Sequence, residues 1–245
     1  MELVGETAIG VARRGKYMWI DFGTPLIIHL GMSGQVLVST DGSSPNHPHL
    51  RARLDFGTTR LRFIDQRTFG HLQRAEYVPG DGAPAGYGTA DSRIPAPLAH
   101  IGRDLLDPHL DMGTLLRATR AKRTEIKRAL LDQSLVSGLG NIYCDEALFR
   151  AQIHPRRKAS GLPYARLGAL YSHAADVLRE ALAAGGTSFD ALYKNVEGAP
   201  GYFERSLSAY GRAGLPCLRC SATLVRERFM NRSSVFCPVC QPLAT

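Results

Sequence analysis

Residues 217–240 read CLRCSATLVRERFMNRSSVFCPVC, two Cys-x-x-Cys pairs with 16 residues between them. A Cys-x-x-Cys puts two thiolates on one tight turn, so two such turns can close a tetrahedral four-cysteine zinc site. The insert, Ser221 to Phe236, has room for a two-stranded hairpin and none for a domain. A pair of disulfides is the alternative, but it would leave a fifth cysteine, Cys144, over, and nothing else in the chain reads as secreted. The spacing predicts one structural Zn2+ on Cys217, Cys220, Cys237 and Cys240, carried by a hairpin with Arg232 near its middle.

Positive charge collects around that hairpin. The whole chain has 30 Lys and Arg against 22 Asp and Glu, a formal net charge of +8. From Arg205 to the end there are six arginines against one acid, Glu227, so this stretch alone carries +5. Such a cluster is the footprint expected for phosphate contacts, although a solvated basic surface would look the same. At 44% hydrophobic and 21% charged, the 245 residues suit a folded chain of one large or two ordinary domains. No run of about 18 apolar residues predicts a membrane span. The start, MELVGETAIG, lacks the basic region and apolar stretch of a signal peptide. The expected location is the cytoplasm, where reduced thiols stay free for metal.

Upstream, the first 75 residues read as strands. Tyr17–Phe22, Gln35–Val38 and Arg51–Phe56 alternate, Pro25–Leu30 is an apolar run, and Gly57-Thr58 turns the chain into Arg60–Ile64. Short strands with Gly and Pro punctuation predict an antiparallel sandwich or barrel. Pro79 to Pro97, with four prolines and four glycines, reads as a loop or linker. Beyond it, Thr114–Leu131, Asn141–Arg150 and Pro163–Ala184 carry apolar residues at helical spacings, with Gly185-Gly186 ending the last and a short helix through Tyr193 capped by Thr187 or Ser188. The predicted domains are residues 1–95 (β-rich), 96–204 (helical) and 205–245 (zinc hairpin).

Four further stretches hold side chains with chemical use. Arg13-Arg14-Gly15-Lys16-Tyr17 sits at a strand entrance, where neighbouring guanidiniums disfavour a protonated Lys16; a solvated basic strand end is the plainer reading. In His29-Leu30-Gly31-Met32-Ser33-Gly34 two glycines let a turn protrude with Met32 on it, as a core filler or as a wedge of the kind that DNA-distorting proteins insert between bases. Asp65-Gln66-Arg67-Thr68-Phe69-Gly70 places a cation and an aromatic two positions apart. At Gly138-Leu139-Gly140-Asn141 the start of a helix offers N–H groups and an amide side chain to a phosphate, or simply an N-cap.

Together with LLDQSLVSGLGNIYCDEALF and PGYFERSLSAYGR, these motifs occur in one order along nearly the whole chain, from about Val4 to Gln241. In that order they resemble the formamidopyrimidine-DNA glycosylase and endonuclease VIII family, most of all the formamidopyrimidine branch. The resemblance implies an α+β multidomain fold: a truncated N-terminal antiparallel β-sandwich, a helix–two-turn–helix DNA-binding domain, and a C-terminal four-cysteine zinc-finger β-hairpin. It implies a monomeric base-excision repair enzyme, a DNA glycosylase and abasic-site lyase. Such an enzyme flips an oxidised purine out of damaged double-stranded DNA, cleaves its glycosidic bond and nicks the strand by β,δ-elimination. Oxidised pyrimidines are the other substrate class.

Residue by residue, the resemblance gives Met32 and Phe69 as wedges in the vacated stack and Arg67 as the side chain that reaches the orphaned base. Lys16 matches the lysine that contacts phosphate and assists β-elimination. Arg232 matches the arginine that grips the damaged nucleotide's phosphates and assists δ-elimination. Asn141, His47 and Lys122 match further DNA contacts, and Tyr202 lies in the loop near an extruded base.

The family's chemistry begins with a proline amine that attacks the sugar C1′, followed by a glutamate at the head of a helix. This sequence opens instead with Met1-Glu2 and runs into strand-like residues, so a shortened sandwich with an exposed sheet edge is expected. The Met1 amine, of reference pKa about 7.7–8.0, has the chemistry to attack an aldehyde, and a desolvated Lys16 would be a second candidate. The alternative function is a shortened paralogue that binds lesion or abasic DNA without cleaving it. A zinc ribbon for RNA or protein partners is a third reading, against which the Met32 and Phe69 turns stand.

Overall fold

The structure, a computed structural model, describes residues 3–40, 47–186 and 206–243. The chain divides into one unit of residues 1–99 with 181–204 and another of residues 100–180 with 205–245.

The first unit is built from nine short strands among the described residues: β1 (Gly10–Arg14), β2 (Tyr17–Asp21), β3 (Pro25–His29), β4 (Gly34–Ser39), β5 (Leu50–Phe56), β6 (Thr59–Asp65), β7 (His71–Arg74), β8 (Tyr77–Val78) and β9 (Ile94–Pro95). One antiparallel sheet has the order β1-β2-β3-β7 and a second has β4-β6-β5, with β8 and β9 as a separate small pair. Alternation explains why the two larger sheets face each other. Ile20 and Ile28 from the first sheet and Val36 and Phe63 from the second bury in one cluster, with Met18, Leu30, Ala52, Leu61 and Leu72 around it. Each such side chain, fully buried, contributes about 1.5–3 kcal/mol. The antiparallel sandwich expected from the strand pattern is therefore present.

Trp19 and Ile27, cross-strand partners, bury on the opposite face of the first sheet. The segment 79–97 lies there. Arg13 and Tyr87 exchange backbone hydrogen bonds of 2.8 and 2.9 Å, and a Cβ on Gly86 would come within 3.0 Å of the Trp19 ring. This stretch is largely irregular, as its composition indicates, yet it covers part of the sandwich.

Two chain crossings carry the Met32 and Arg67–Phe69 motifs. Residues 30–33 carry the chain from β3 in the first sheet to β4 in the second, and residues 66–70 carry it back from β6 to β7. Because Gly34 pairs with Asp65 and His29 pairs with His71, both crossings lie at the same end of the sandwich. The β1–β2 turn, Gly15-Lys16, is at that end too, since Tyr17 pairs with His29.

The second unit holds α1 (Met112–Ala121), α2 (Ile126–Leu131), α3 (Asn141–Ala151), all but the last three residues of α4 (Tyr164–Ala183) and a hairpin of β10 (Val225–Phe229) and β11 (Arg232–Phe236). The apolar face of α4 is the buried one: Leu167, Leu170, Tyr171 and Ala174 are fully buried in a core shared with Leu130, Leu139 and Leu148, and Val177 is fully buried too. The continuous helical spacing of Thr114–Leu131 is broken into α1 and α2. Lys122 and Glu125 take extended backbone, Ala159 donates its N–H to Thr124 O, and Glu125 bridges Lys158. Tertiary pairing overrides local helix preference here. Between α2 and α3, the Gln133 side chain donates to Leu131 O and Leu139 O and accepts from Gly138 N, which fixes the helix–turn–helix geometry. The short helix expected from Thr187 or Ser188 to Tyr193 lies outside the described residues.

Candidate nucleic-acid interface

At the shared end of the sandwich, Met32 and Phe69 are held out to solvent at 67% and 53% exposure. Arg67 lies between them, its guanidinium 5.6 Å from the Phe69 ring centroid and its Nη2 donating to the Met32 carbonyl at 3.3 Å. The core-filler alternative for Met32 is thereby set aside. The structure brings together the three side chains that the motifs singled out, and it does so on backbone that barely fits. A Cβ on Gly31 would lie 2.6 Å from the Phe69 carbonyl carbon, and one on Gly70 would lie 2.7 Å from His29 O. Glycine is required at both places because the two crossings touch backbone to backbone.

Lys16 is exposed on the adjacent β1–β2 turn, and the flanking guanidiniums are turned to carbonyls, Arg13 to Gly15 O and Arg14 to Ala85 O, each at 3.0 Å. Beside this turn runs a row of rings across the sheet. Tyr17 and His29 have centroids 4.6 Å apart, and His29 and His71 5.5 Å apart. Burial, then the neighbouring His71 and Lys16 charges, push the His29 pKa down. His29 Nδ1 accepts from Gly31 N at 3.3 Å, so the neutral ring carries its proton on Nε2. His47 is half-buried just before β5, its Nδ1 accepting from His49 N at 3.1 Å.

In the second unit, a cavity of about 590 Å³ is lined by Asn141, Tyr210, Arg226, Glu227, Arg228, Asn231, Arg232 and Ser233. Asn141 is the first residue of α3, not its cap; Gly140 holds the cap position without a side-chain hydrogen bond. The Asn141 Oδ1 is buried with no hydrogen-bond partner, a group that calls for a ligand or an ordered water. Arg232 follows the Met230-Asn231 turn of the hairpin, with Nε donating to Asn231 Oδ1 at 3.0 Å.

Two buried acids on α3 tie down the walls of this cavity. Asp145 accepts from Lys127 Nζ at 2.7 Å, from Ser234 Oγ at 2.8 Å and from Val235 N at 3.1 Å, which fixes β11 two residues beyond Arg232. Burial opposes both charges of the Lys127–Asp145 pair, lowering the lysine pKa and raising that of the aspartate, and each partner counters the shift in the other. Glu146 accepts from the backbone N–H groups of Ser208, Ala209 and Tyr210 at 2.8–2.9 Å. Tyr210 belongs to the quoted SAYGR motif, and the signal available in sequence is an aromatic two residues before Arg212. Lys122, at the end of α1, has its Nζ 2.6 Å from Asp132 Oδ2 and is not among the cavity's lining residues. Tyr202 lies outside the described residues.

The four hairpin cysteines are free thiols whose Sγ atoms all lie within 4.8 Å of one another. The Cys217–Cys240 and Cys220–Cys237 separations are 3.9 and 3.5 Å. Tetrahedral Zn–S bonds of about 2.3 Å need S···S distances near ~3.8 Å, whereas a disulfide needs about 2.0 Å. Arg219 N donates to Cys217 Sγ and Cys240 N to Cys237 Sγ, the usual support for thiolate ligands. Arg219 also donates to Phe149 O, and Gln241 to Ile153 O, docking the metal knuckles on the end of α3.

Three family models match the chain in sequence order. They are the formamidopyrimidine-DNA glycosylase N-terminal domain over residues 1–72, the formamidopyrimidine-DNA glycosylase H2TH domain over 101–192, and a zinc finger found in FPG and IleRS over 214–243. The formamidopyrimidine-DNA glycosylase of Mycolicibacterium vanbaalenii is 52% identical over 255 residues, covering 98% of this chain and 83% of that protein. The chain belongs to the formamidopyrimidine-DNA glycosylase family. The enzyme of the same name from Mycobacterium ulcerans is also 52% identical, with 98% of this chain and 82% of the relative covered. Among solved structures, the complex of Lactococcus lactis Fpg with DNA containing an abasic site superposes with a TM-score of 0.78 at 30% identity, covering 98% of this chain and 84% of that one. A complex of the same enzyme with Fapy-dG-containing DNA gives 0.76. As in other formamidopyrimidine-DNA glycosylase zinc fingers, the four cysteines fit one structural Zn2+.

Proposed function

We propose that this chain binds damaged duplex DNA in base-excision repair as a DNA glycosylase and abasic-site lyase for oxidised purines. The observation that carries the reading is the pairing of two surfaces in one family member. One is an exposed Met32–Arg67–Phe69 cluster on rigid crossings; the other is a basic cavity holding Arg232 beside the unpartnered Asn141 Oδ1. Family relatives are solved on abasic-site and Fapy-dG DNA.

In this reading Met32 and Phe69 fill the stack that an extruded nucleotide leaves, and the Arg67 guanidinium, with five N–H donors, reads the opposite base. Asn141, Tyr210 and Arg232 bind phosphate oxygens of the damaged strand, with Arg232 supplying positive charge where δ-elimination releases phosphate. Lys16 holds a phosphate and assists β-elimination; His47 and Lys122 add phosphate contacts, and Tyr202 approaches the extruded base. Zn2+ stabilises the hairpin that carries Arg232. No helix among the described residues is long and apolar enough to cross a membrane, and the protein acts in the cytoplasm or on the nucleoid.

Borohydride trapping on an abasic-site duplex tests the lyase step. An imine between a protein amine and the sugar C1′ is reduced to a stable amine, so the expected result is a covalent protein–DNA adduct. Tight lesion binding with no adduct would remove the lyase activity and leave a binding protein.

A further inference from the structure

We infer that Asp65, together with Ser33, is the positioning element that makes the two crossings one rigid probe and so sets the preference for the base opposite the lesion. The inference rests on the proposed role of Arg67 and goes beyond it, because Asp65 is fully buried and the Ser33 hydroxyl donates to it.

Asp65 ends β6 and is fully buried. Its carboxylate is saturated with donors from both crossings. Oδ1 accepts from Ser33 Oγ on the first and from Arg67 N (3.2 Å) on the second, while Oδ2 accepts from Gly70 N at 2.7 Å. Ser33 Oγ in turn accepts from Arg67 N at 3.4 Å, so one hydroxyl joins the two segments directly. The Asp65 backbone is gripped as well. Its N–H donates to His49 O at 2.9 Å, and Arg51 Nε donates to its carbonyl at 2.7 Å. Arg51 is the extra residue of a bulge between Leu50 and Ala52, a device that re-aims a side chain out of the strand pattern.

What this framework supports is otherwise unfavourable. Two large apolar side chains are kept out of the core, and Thr68, a β-branched residue, is held at φ 56°. Strain of this kind persists only where the surroundings over-determine it, and it gathers at binding sites. Every donor aimed at Asp65 is matched by a carboxylate oxygen, so an amide in its place sets N–H against N–H. With the carboxylate intact, Arg67 enters DNA with its backbone pinned and its guanidinium tethered to Met32 O, and little ordering is left for binding to impose. Without it, Arg67 can adapt to any opposite base and discrimination falls.

The test uses the full zinc-loaded chain and four duplexes carrying an abasic-site analogue opposite dC, dG, dA or dT. The readout is the ratio between the tightest and weakest dissociation constants, measured with wild type, Arg67→Ala, Asp65→Asn and Ser33→Ala. The expected result is a clear ratio for wild type that falls toward one in Asp65→Asn and Ser33→Ala, with affinity for undamaged duplex within about twofold of wild type. A role confined to stability would lower the melting temperature and leave the ratio intact. Should Asp65→Asn fail to fold, Ser33→Ala, which removes one hydroxyl, carries the test alone. If Arg67→Ala abolishes the ratio while the folded Asp65 and Ser33 variants keep it, the role of the carboxylate is refuted and the reading of Arg67 stands. If wild type shows no ratio, or Arg67→Ala keeps it, both fall.

Discussion

At the scale of single residues, the proposed roles of Asp65 and Arg232 put one charge inside the fold and one on its surface. Asp65 acts from inside. Burial raises its pKa, but the Ser33 hydroxyl and the Gly70, Arg67 and Thr68 amides lower it by more, leaving it below the ordinary 3.8. A depressed carboxylate pKa stabilises the fold fully above the unfolded value, and that contribution is lost as pH falls through the folded pKa. Trp19, the single tryptophan, reports this sandwich. Urea midpoints followed by its fluorescence should show an advantage of wild type over Asp65→Asn that is constant between about pH 5 and 6 and shrinks below about pH 4; an advantage that persists unchanged into acid contradicts the network. Arg232 acts from the surface. Arg232→Ala should weaken DNA binding and reduce the slope of log K against log salt by about 0.9, one phosphate's worth. Lys122→Ala should flatten it by less, because Lys122 must first leave Asp132. Unchanged slopes in both variants would remove these two residues from the phosphate contacts. The four cysteines were legible in sequence from their spacing, and the turns that hold Met32, Arg67 and Phe69 from their glycines, whereas Arg232 was singled out through the family resemblance. Asp65 was not legible, since an acid before a glycine turn reads as a solvated turn residue until two distant crossings bury it.

At the scale of elements, alternation located β2, β4 and β5, an apolar run located β3, and the Gly57-Thr58 turn located β6, each to within a residue or two. The division of Thr114–Leu131 could not be read locally. Leu115 and Leu116 on one side of Lys122-Arg123-Thr124-Glu125 stay in helical phase with Ile126, Ala129 and Leu130 on the other, and the break comes from pairing with residues 158–159, far along the chain. The coupling of α3 to β11 was equally hidden. Asp145 and Lys127 are charged residues on helices, where a solvated face is the common outcome, yet both are essentially inaccessible here, at 1% and 0% exposure. Lys127→Met strands a buried carboxylate and should cost about 3–5 kcal/mol in chemical denaturation, while Lys127→Met with Asp145→Leu should recover much of it. A single variant within about 0.5 kcal/mol of wild type contradicts the buried pair. Because Lys127 Nζ also donates to the Ser233 carbonyl, next to Arg232, the single variant should weaken DNA binding through a displaced Arg232.

At the scale of the whole molecule, the ordered motifs point to the family and the family to DNA, with which the net charge of +8 agrees. Zinc removal joins the two scales. Four thiolates brought close without metal repel one another, so chelation should disorder the hairpin, release Arg232 from its cavity and sharply reduce affinity. Tight binding after verified zinc loss would deny the hairpin its role. The central claim, recognition of a lesion rather than of polyanion, is tested most directly by equilibrium binding of the zinc-loaded chain to two duplexes of one sequence, one carrying a single abasic-site analogue. The prediction is an affinity at least about tenfold higher for the lesion duplex, equivalent to about 1.4 kcal/mol, retained at each salt concentration while both affinities fall as salt rises. Equal affinity for the two duplexes would contradict it.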